Sequence, residues 1–174
     1  CDHYHRYKED VALLKNLGIK NYRFSVSWSR IMPNGKGEIN PEGVAFYSNL
    51  ADELLKAGIT PWVTIFHWDL PRALFEEGGF LNDKISDYFA DYAKTVVEIF
   101  GDRVKNYFIF NEPQVFVEDG HFTGAHAPFL RLSRSDVFKV AHNVLLSIGK
   151  AEKVMRKTAK IELDIGCSPC FMPM

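Results

Sequence analysis

The chain has 174 residues, 47% of them hydrophobic, which is enough to bury a core. A net charge of −1 offers no basic surface for nucleic acid or for an anionic membrane, and no apolar run is long enough to span a bilayer. Three cysteines cannot build a disulfide framework, and with no visible signal peptide they point to a cytoplasmic location.

The first residue is Cys1 rather than methionine, so a processed chain or a fragment is expected. His3 and His5 sit in a polar and aromatic lead-in, where hydrogen-bonded structural roles are expected of them. Tyr7, Val11, Leu14 and Leu17 fall on one helical face, and Gly18 ends that helix. Tyr22, Phe24, Val26 and Trp28 alternate with Arg23, Ser25 and Ser27, the pattern of a strand with two different faces. A loop over 31–40 leads to Asn40, which can cap a helix that has Pro41 in its first turn. Val44, Tyr47, Leu50 and Leu54 make the buried stripe of that helix, and Gly58 terminates it.

A strand over 61–66 then runs into His67-Trp68-Asp69-Leu70-Pro71, with Trp62 expected in the core. Ile85, Tyr88, Tyr92, Val96 and Ile99 line the next helix, which Gly101 ends. The strand after it, Tyr107-Phe108-Ile109-Phe110, delivers Asn111 and Glu112, and Pro113 stops it because proline has no N–H to donate. Carboxylates held beside aromatic groups lose hydration and make better proton donors near neutral pH. A long helix with Val137, Ala141, Leu145 and Ile148 on one face precedes a last strand over 161–166.

One unit thus recurs four times: helix, short turn, strand, long loop. That spacing demands parallel strands with right-handed crossovers, and with no linker or composition shift residues 1–174 read as a single domain. No glycine-rich turn follows a strand, as a nucleotide-binding open sheet requires. The long polar and aromatic loops all follow strands, which is the asymmetry of a (β/α)₈ TIM barrel with its site at the C-terminal face. Four units are half of such a barrel.

Three strand ends would bring Arg23 with Trp28, His67 with Trp68, and Asn111 with Glu112 to one face. A cation, an imidazole, an amide, a carboxylate and two indoles suit a polyhydroxylated ligand, which needs hydrogen-bond partners for its hydroxyls and an aromatic platform for its C–H faces. One histidine and one carboxylate are an incomplete metal set, so no metal and no cofactor are expected. Cys167-Ser168-Pro169-Cys170 has no second cysteine pair to complete a zinc site. No Gly-x-Ser-x-Gly turn presents a serine nucleophile, and Arg23 as a structural ion-pair partner stays open.

Five segments carry a specific resemblance. Residues 1–10 (CDHYHRYKED), Tyr22-Arg23-Phe24-Ser25, His67-Trp68-Asp69-Leu70-Pro71, Phe110-Asn111-Glu112-Pro113 and Gly124-Ala125-His126-Ala127-Pro128 resemble, in that order, the family 1 glycoside hydrolases, the β-glucosidases and relatives. The resemblance implies a (β/α)₈ barrel that hydrolyses β-glycosides with retention. It implies Glu112 as general acid/base, Asn111, His67 and Trp68 as sugar contacts, and Arg23 beside the nucleophile. Gln114 stands where many members have tryptophan.

Members that act on phosphorylated sugars usually depart from two of these motifs, so a non-phosphorylated β-glycoside is the implied substrate. The family's nucleophile lies in a Thr-Glu-Asn-Gly-like segment that this sequence does not contain. The chain therefore reads as the second to fifth strands of the barrel, with the general acid and without the nucleophile. A catalytically inactive sugar-binding or scaffold fragment is the alternative, and Asp69 or Glu118 is a candidate second carboxylate for a different barrel hydrolase. Two open sheet edges predict self-association.

Overall fold

The computed structural model describes residues 1–170. Among them, four strands form one parallel sheet in the order β1 (Asn21–Ser25), β2 (Thr60–Phe66), β3 (Asn106–Asn111), β4 (Asp164–Ser168). Helix α1 (His3–Asn16) leads into β1, α3 (Pro41–Lys56) into β2, α5 (Ile85–Phe100) into β3 and α7 (Arg134–Thr158) into β4. Strand order follows chain order, so the sheet is a partial (β/α)₈ barrel. Short helices α2 (Trp28–Ile31), α4 (Arg72–Glu76) and α6 (Pro113–Val117) occupy the loops beyond the strand ends. No helix among the described residues is long and apolar enough to cross a membrane.

The local signals act as expected at several ends. The Asn40 side chain accepts the Glu42 N–H at the start of α3, and Gly18 and Gly58 adopt left-handed φ of 74° and 75° after α1 and α3. Gly101 is needed for a different reason. Its φ is −73°, but a Cβ there would lie 2.5 Å from Val97 O. His3 and His5 hydrogen bond to Asp10 and Asp2, as structural histidines.

Four expectations need correction. The first strand stops at Ser25, and Trp28 opens α2 instead of ending the strand. Tertiary contacts turn the chain here: Ser27 N donates to Tyr47 Oη and Trp28 N to Asp69 Oδ2. Trp28 is fully buried, stacks on Tyr92 at 4.9 Å and donates Nε1–H to Gly35 O. It is core, and no ligand can lie on its face.

Trp62, expected in the core, is half-exposed and stacks on Phe108 at 5.6 Å. It lies on the sheet face away from the helices, opposite Arg23 in β1 and Asn106 in β3. Both faces of a barrel strand are apolar, so a run of apolar residues cannot say which face is covered. The buried stripe of α7 is Val140, Val144, Ser147, Ala151 and Met155, and Leu145 is exposed. Val137, Ala141 and Leu145 line an apolar groove against Pro113 and Val117 instead. Finally, β4 runs two residues further than the sequence suggests, which brings Ser168 opposite Asn111.

The core lies between sheet and helices and is mostly aromatic. Phe66 sits 4.8 Å from Phe110, 5.4 Å from Phe116 and 5.9 Å from Phe89, with Phe80 and Trp28 closing the group. Burying each ring contributes about 1.5–3 kcal/mol. This mass of rings under the strand ends makes a rigid base for the side chains above it.

Candidate active site

At the C-terminal ends of β1, β2 and β3, side chains far apart in sequence form one hydrogen-bonded chain. Arg23 Nη2 donates to Asn111 Oδ1 at 2.6 Å, and Arg23 Nε donates to Thr64 Oγ1 at 2.8 Å. A guanidinium has only donors, so the Asn111 oxygen must face it. The Asn111 amide nitrogen is thereby turned to His67 Nε2, 3.1 Å away. That nitrogen must accept, which leaves the imidazole proton on Nδ1. Burial, and then the positive charge of Arg23, push the His67 pKa down, against the pull of Glu112 and Asp69. A neutral imidazole is the form this bond requires.

Burial also lowers the Arg23 pKa, and the negative charge of Glu112 opposes it. The guanidinium lies 4.6 Å over the Phe108 ring and donates Nη1 to Ser168 Oγ at 3.3 Å. Its partners are neutral oxygens, not the carboxylate of a structural ion pair. Asn111 is 5% exposed, so its orientation is set by these bonds.

Trp68 and Glu112 flank the chain in left-handed backbone, with φ of 78° and 44°. Such a conformation costs a non-glycine residue about 1–3 kcal/mol and is held only where surroundings fix it. Trp68 is fixed by Nε1–H donation to Asn111 O at 2.8 Å, and its ring lies 5.5 Å from His126 and 5.6 Å from His67. Glu112 N donates to Ser168 O at 2.8 Å, and Glu112 O accepts from Phe116 N at 3.0 Å. The half-buried Glu112 side chain makes no hydrogen bond in the described residues and acts electrostatically on both Arg23 and His67.

Arg23, His67, Trp68, Asn111 and Glu112 are thus neighbours on one rim. Asp69 and Glu118 are not part of it. The Asp69 carboxylate turns to the backbone N–H of Trp28, and burial raises its pKa despite bonds from Ser27, Trp28 and its own loop. Glu118 lines the groove against α7 with Val137 and Phe138. Thr64 and Ser168 are site neighbours that the sequence pattern gave no role, and His126, from the last of the five resembling segments, joins them beside Trp68. Thr64 was the one to find, as a hydroxyl inside an otherwise apolar run. Among the described residues no three His, Cys, Asp or Glu side chains gather to hold a metal ion, and burial raises the Cys167 thiol pKa.

The sequence model of glycosyl hydrolase family 1 matches residues 1–172. Beta-glucosidase A of Thermotoga maritima is 50% identical over 163 residues, covering 92% of this chain and 36% of that protein. Myrosinase 1 of Brevicoryne brassicae is 44% identical over 176 residues, covering 98% of this chain and 38% of its own length. The structure of the Thermotoga maritima beta-glucosidase in complex with castanospermine superposes with a TM-score of 0.92 at 49% identity, over 96% of this chain and 38% of that one. The chain therefore spans a little over a third of the length of the relatives it matches.

Proposed function

The chain belongs to glycosyl hydrolase family 1, and on that premise we propose that it carries the acid/base part of a retaining β-glycosidase site of the β-glucosidase type. The observation that carries this reading is the Arg23–Asn111–His67 chain with Glu112 beside it at the same strand end. In this reading residues 1–174 are one incomplete barrel domain, the second to fifth strands, and the substrate is a non-phosphorylated β-glycoside.

Glu112 gives its proton to the departing glycosidic oxygen, so the leaving group departs as an alcohol and not as an alkoxide. Asn111 and His67 hold sugar hydroxyls from one side, and Trp68 offers its edge and face to the ring. Retention needs a second carboxylate about 5–5.5 Å from the first, as nucleophile. In this reading that group comes from a part of the barrel outside this chain and lies opposite Arg23, whose guanidinium lacks a carboxylate partner among the described residues.

The test is hydrolysis of an aryl β-glucoside by this chain alone and by this chain mixed with the remaining portion of the Thermotoga maritima enzyme. The expected outcome is turnover only in the mixture. Efficient turnover by the 174 residues alone would refute the missing nucleophile. In the mixture, Glu112→Gln is expected to slow hydrolysis of a poorly activated glycoside about 10²–10⁴-fold. Unchanged rates would remove the acid assignment.

A sugar-binding fragment without catalysis is the second reading, favoured by a hydrogen-bonded network that is complete without the nucleophile. Titration with glucose or cellobiose separates the two, because saturable binding with no turnover in the mixture selects it. The open edges of β1 and β4 also favour self-association of the isolated chain. Light scattering at micromolar concentration checks this, and a monodisperse monomer would contradict it.

A further inference from the structure

On β2, Val63 and Ile65 are fully buried against the helices. Thr64, between them, is 1% exposed and carries its hydroxyl toward the opposite face of the sheet. Burying a hydroxyl costs about 1–3 kcal/mol unless a partner satisfies it. Valine has nearly the same shape and suits a strand at least as well. The hydroxyl serves one group: Thr64 Oγ1 accepts from Arg23 Nε at 2.8 Å.

That bond helps fix a guanidinium with other tasks. A guanidinium is a planar fork, so holding several of its nitrogens sets its plane. Nη2 donates to Asn111 Oδ1 at 2.6 Å, Nη1 donates to Ser168 Oγ at 3.3 Å, and the Phe108 ring lies 4.6 Å beneath. Thr64 is opposite Ser25 in β1 and Phe108 in β3, so it stands between the strand that carries Arg23 and the strand that carries Asn111.

Glu112 offers the same guanidinium a charged acceptor. Its charge acts on Arg23 across the rim, yet the two form no ion pair among the described residues. A guanidinium drawn to that carboxylate would leave Asn111 without its donor. It would also tie up the carboxyl oxygens that the proposed reading needs for proton transfer. With Arg23 gone, the Asn111 amide is free to turn its oxygen to His67, whose ring would then carry the proton on Nε2 instead of Nδ1.

We propose that Thr64 is a positioning residue. Its hydroxyl keeps Arg23 on Asn111 and off Glu112, and so decides which atoms Asn111 and His67 present to a sugar hydroxyl. The bearing on catalysis rests on the glycosidase reading, and the restraint itself does not.

The test reads the His67 ring nitrogens by two-bond proton–nitrogen NMR. It uses the 174-residue chain at about pH 8, above the ordinary imidazole value, with no sugar present. The parent chain is expected to show the Nδ1–H tautomer. Thr64→Val should move most of the population to Nε2–H, and Thr64→Ser should restore the parent pattern. In a Glu112→Gln background the competing charge is gone, so Thr64→Val should shift the tautomer less. In the mixture with the remaining portion of the Thermotoga maritima enzyme, Thr64→Val should lower kcat/KM about tenfold, as loss of one charge-assisted hydrogen bond allows, with Thr64→Ser near the parent.

A mixed or Nε2–H ring in the parent chain, an unmoved tautomer or full kcat/KM in Thr64→Val, a Thr64→Ser chain that matches Thr64→Val, or an undiminished shift beside Glu112→Gln would each overturn the proposal. Thr64→Ala, which removes the hydroxyl and adds no methyl, repeats the comparison if Thr64→Val misfolds. The spectra need neither sugar nor turnover. A mixture that never turns over therefore defeats the glycosidase reading and leaves the restraint testable, while turnover with an unmoved tautomer defeats this inference alone.

Discussion

On the helix-covered side of the sheet, Val63, Ile65, Tyr107 and Ile109 are each at most 1% exposed, sealed by α3, α5 and α7. On the opposite side Arg23 is exposed, and Trp62 and Phe108 remain half-exposed although they stack on one another. The first face is finished by this chain's own helices. The second is the inner wall of a barrel and awaits an opposing wall. Stability thus comes from one face, and the candidate chemistry sits at the rim of the other.

The sharpest way to break this contrast is to empty one site on each face. Phe89, fully buried against Trp28, Phe66, Tyr92 and Phe110, is expected to cost about 3–5 kcal/mol as Phe89→Ala in urea unfolding. Phe108→Ala, which loses the Trp62 stack and the Arg23 contact, should cost only about 1 kcal/mol. Equal losses would mean that both faces carry the fold.

At the rim, Asn111→Ala removes the charge-assisted bond from Arg23 and the bond to His67 while keeping the backbone oxygen that accepts from Trp68, for an expected loss of about 1–3 kcal/mol together with any sugar affinity. Retained affinity would disconnect the network from ligand binding. Smaller again is the strain at Glu112. Because its φ is 44°, Glu112→Gly should be more stable than Glu112→Ala by about 1 kcal/mol. A reversed order would show that the left-handed backbone is not strained there.

Two pH effects are finer tests. The Asp69 pKa is raised above 3.8, so the folded state holds that proton more tightly than the unfolded one. The associated stability is present below 3.8 and is lost as pH rises through the folded value. Asp69→Asn, which still accepts from Trp28 N, should therefore gain on the parent chain as pH climbs from 3.8 toward neutrality. A constant difference across that range would contradict the burial of the charge.

His67 is shifted the other way, below 6.5. Its contribution is present above 6.5 and fades as pH falls through the lower folded value, because a protonated ring cannot accept from Asn111. Glucose titration should weaken over that interval in the parent chain and not in His67→Gln. Parallel profiles would take His67 out of the site.

How much of this could be read in advance depends on distance along the chain. His67 and Trp68 are adjacent, as are Asn111 and Glu112, so each pair could be found from its own motif at a strand end. Arg23 and Asn111 are 88 positions apart, and Arg23 and Ser168 are 145 apart. Those partnerships exist only through strand order and register. The α7 stripe was misplaced because an amphipathic helix with apolar residues on two faces does not say which face meets the sheet.

The linear order of residues set the repeating helix–strand unit, the capped helix starts and left-handed glycines, and the polar pairs at strand ends, because each depends on spacing over a few residues. The tertiary structure alone decided that Trp28 is core, that Trp62 faces the barrel interior, and that Arg23 turns the Asn111 amide toward His67. These outcomes follow from which surfaces meet across the sheet, and desolvation and hydrogen-bond matching at those meetings are properties of neighbours in space.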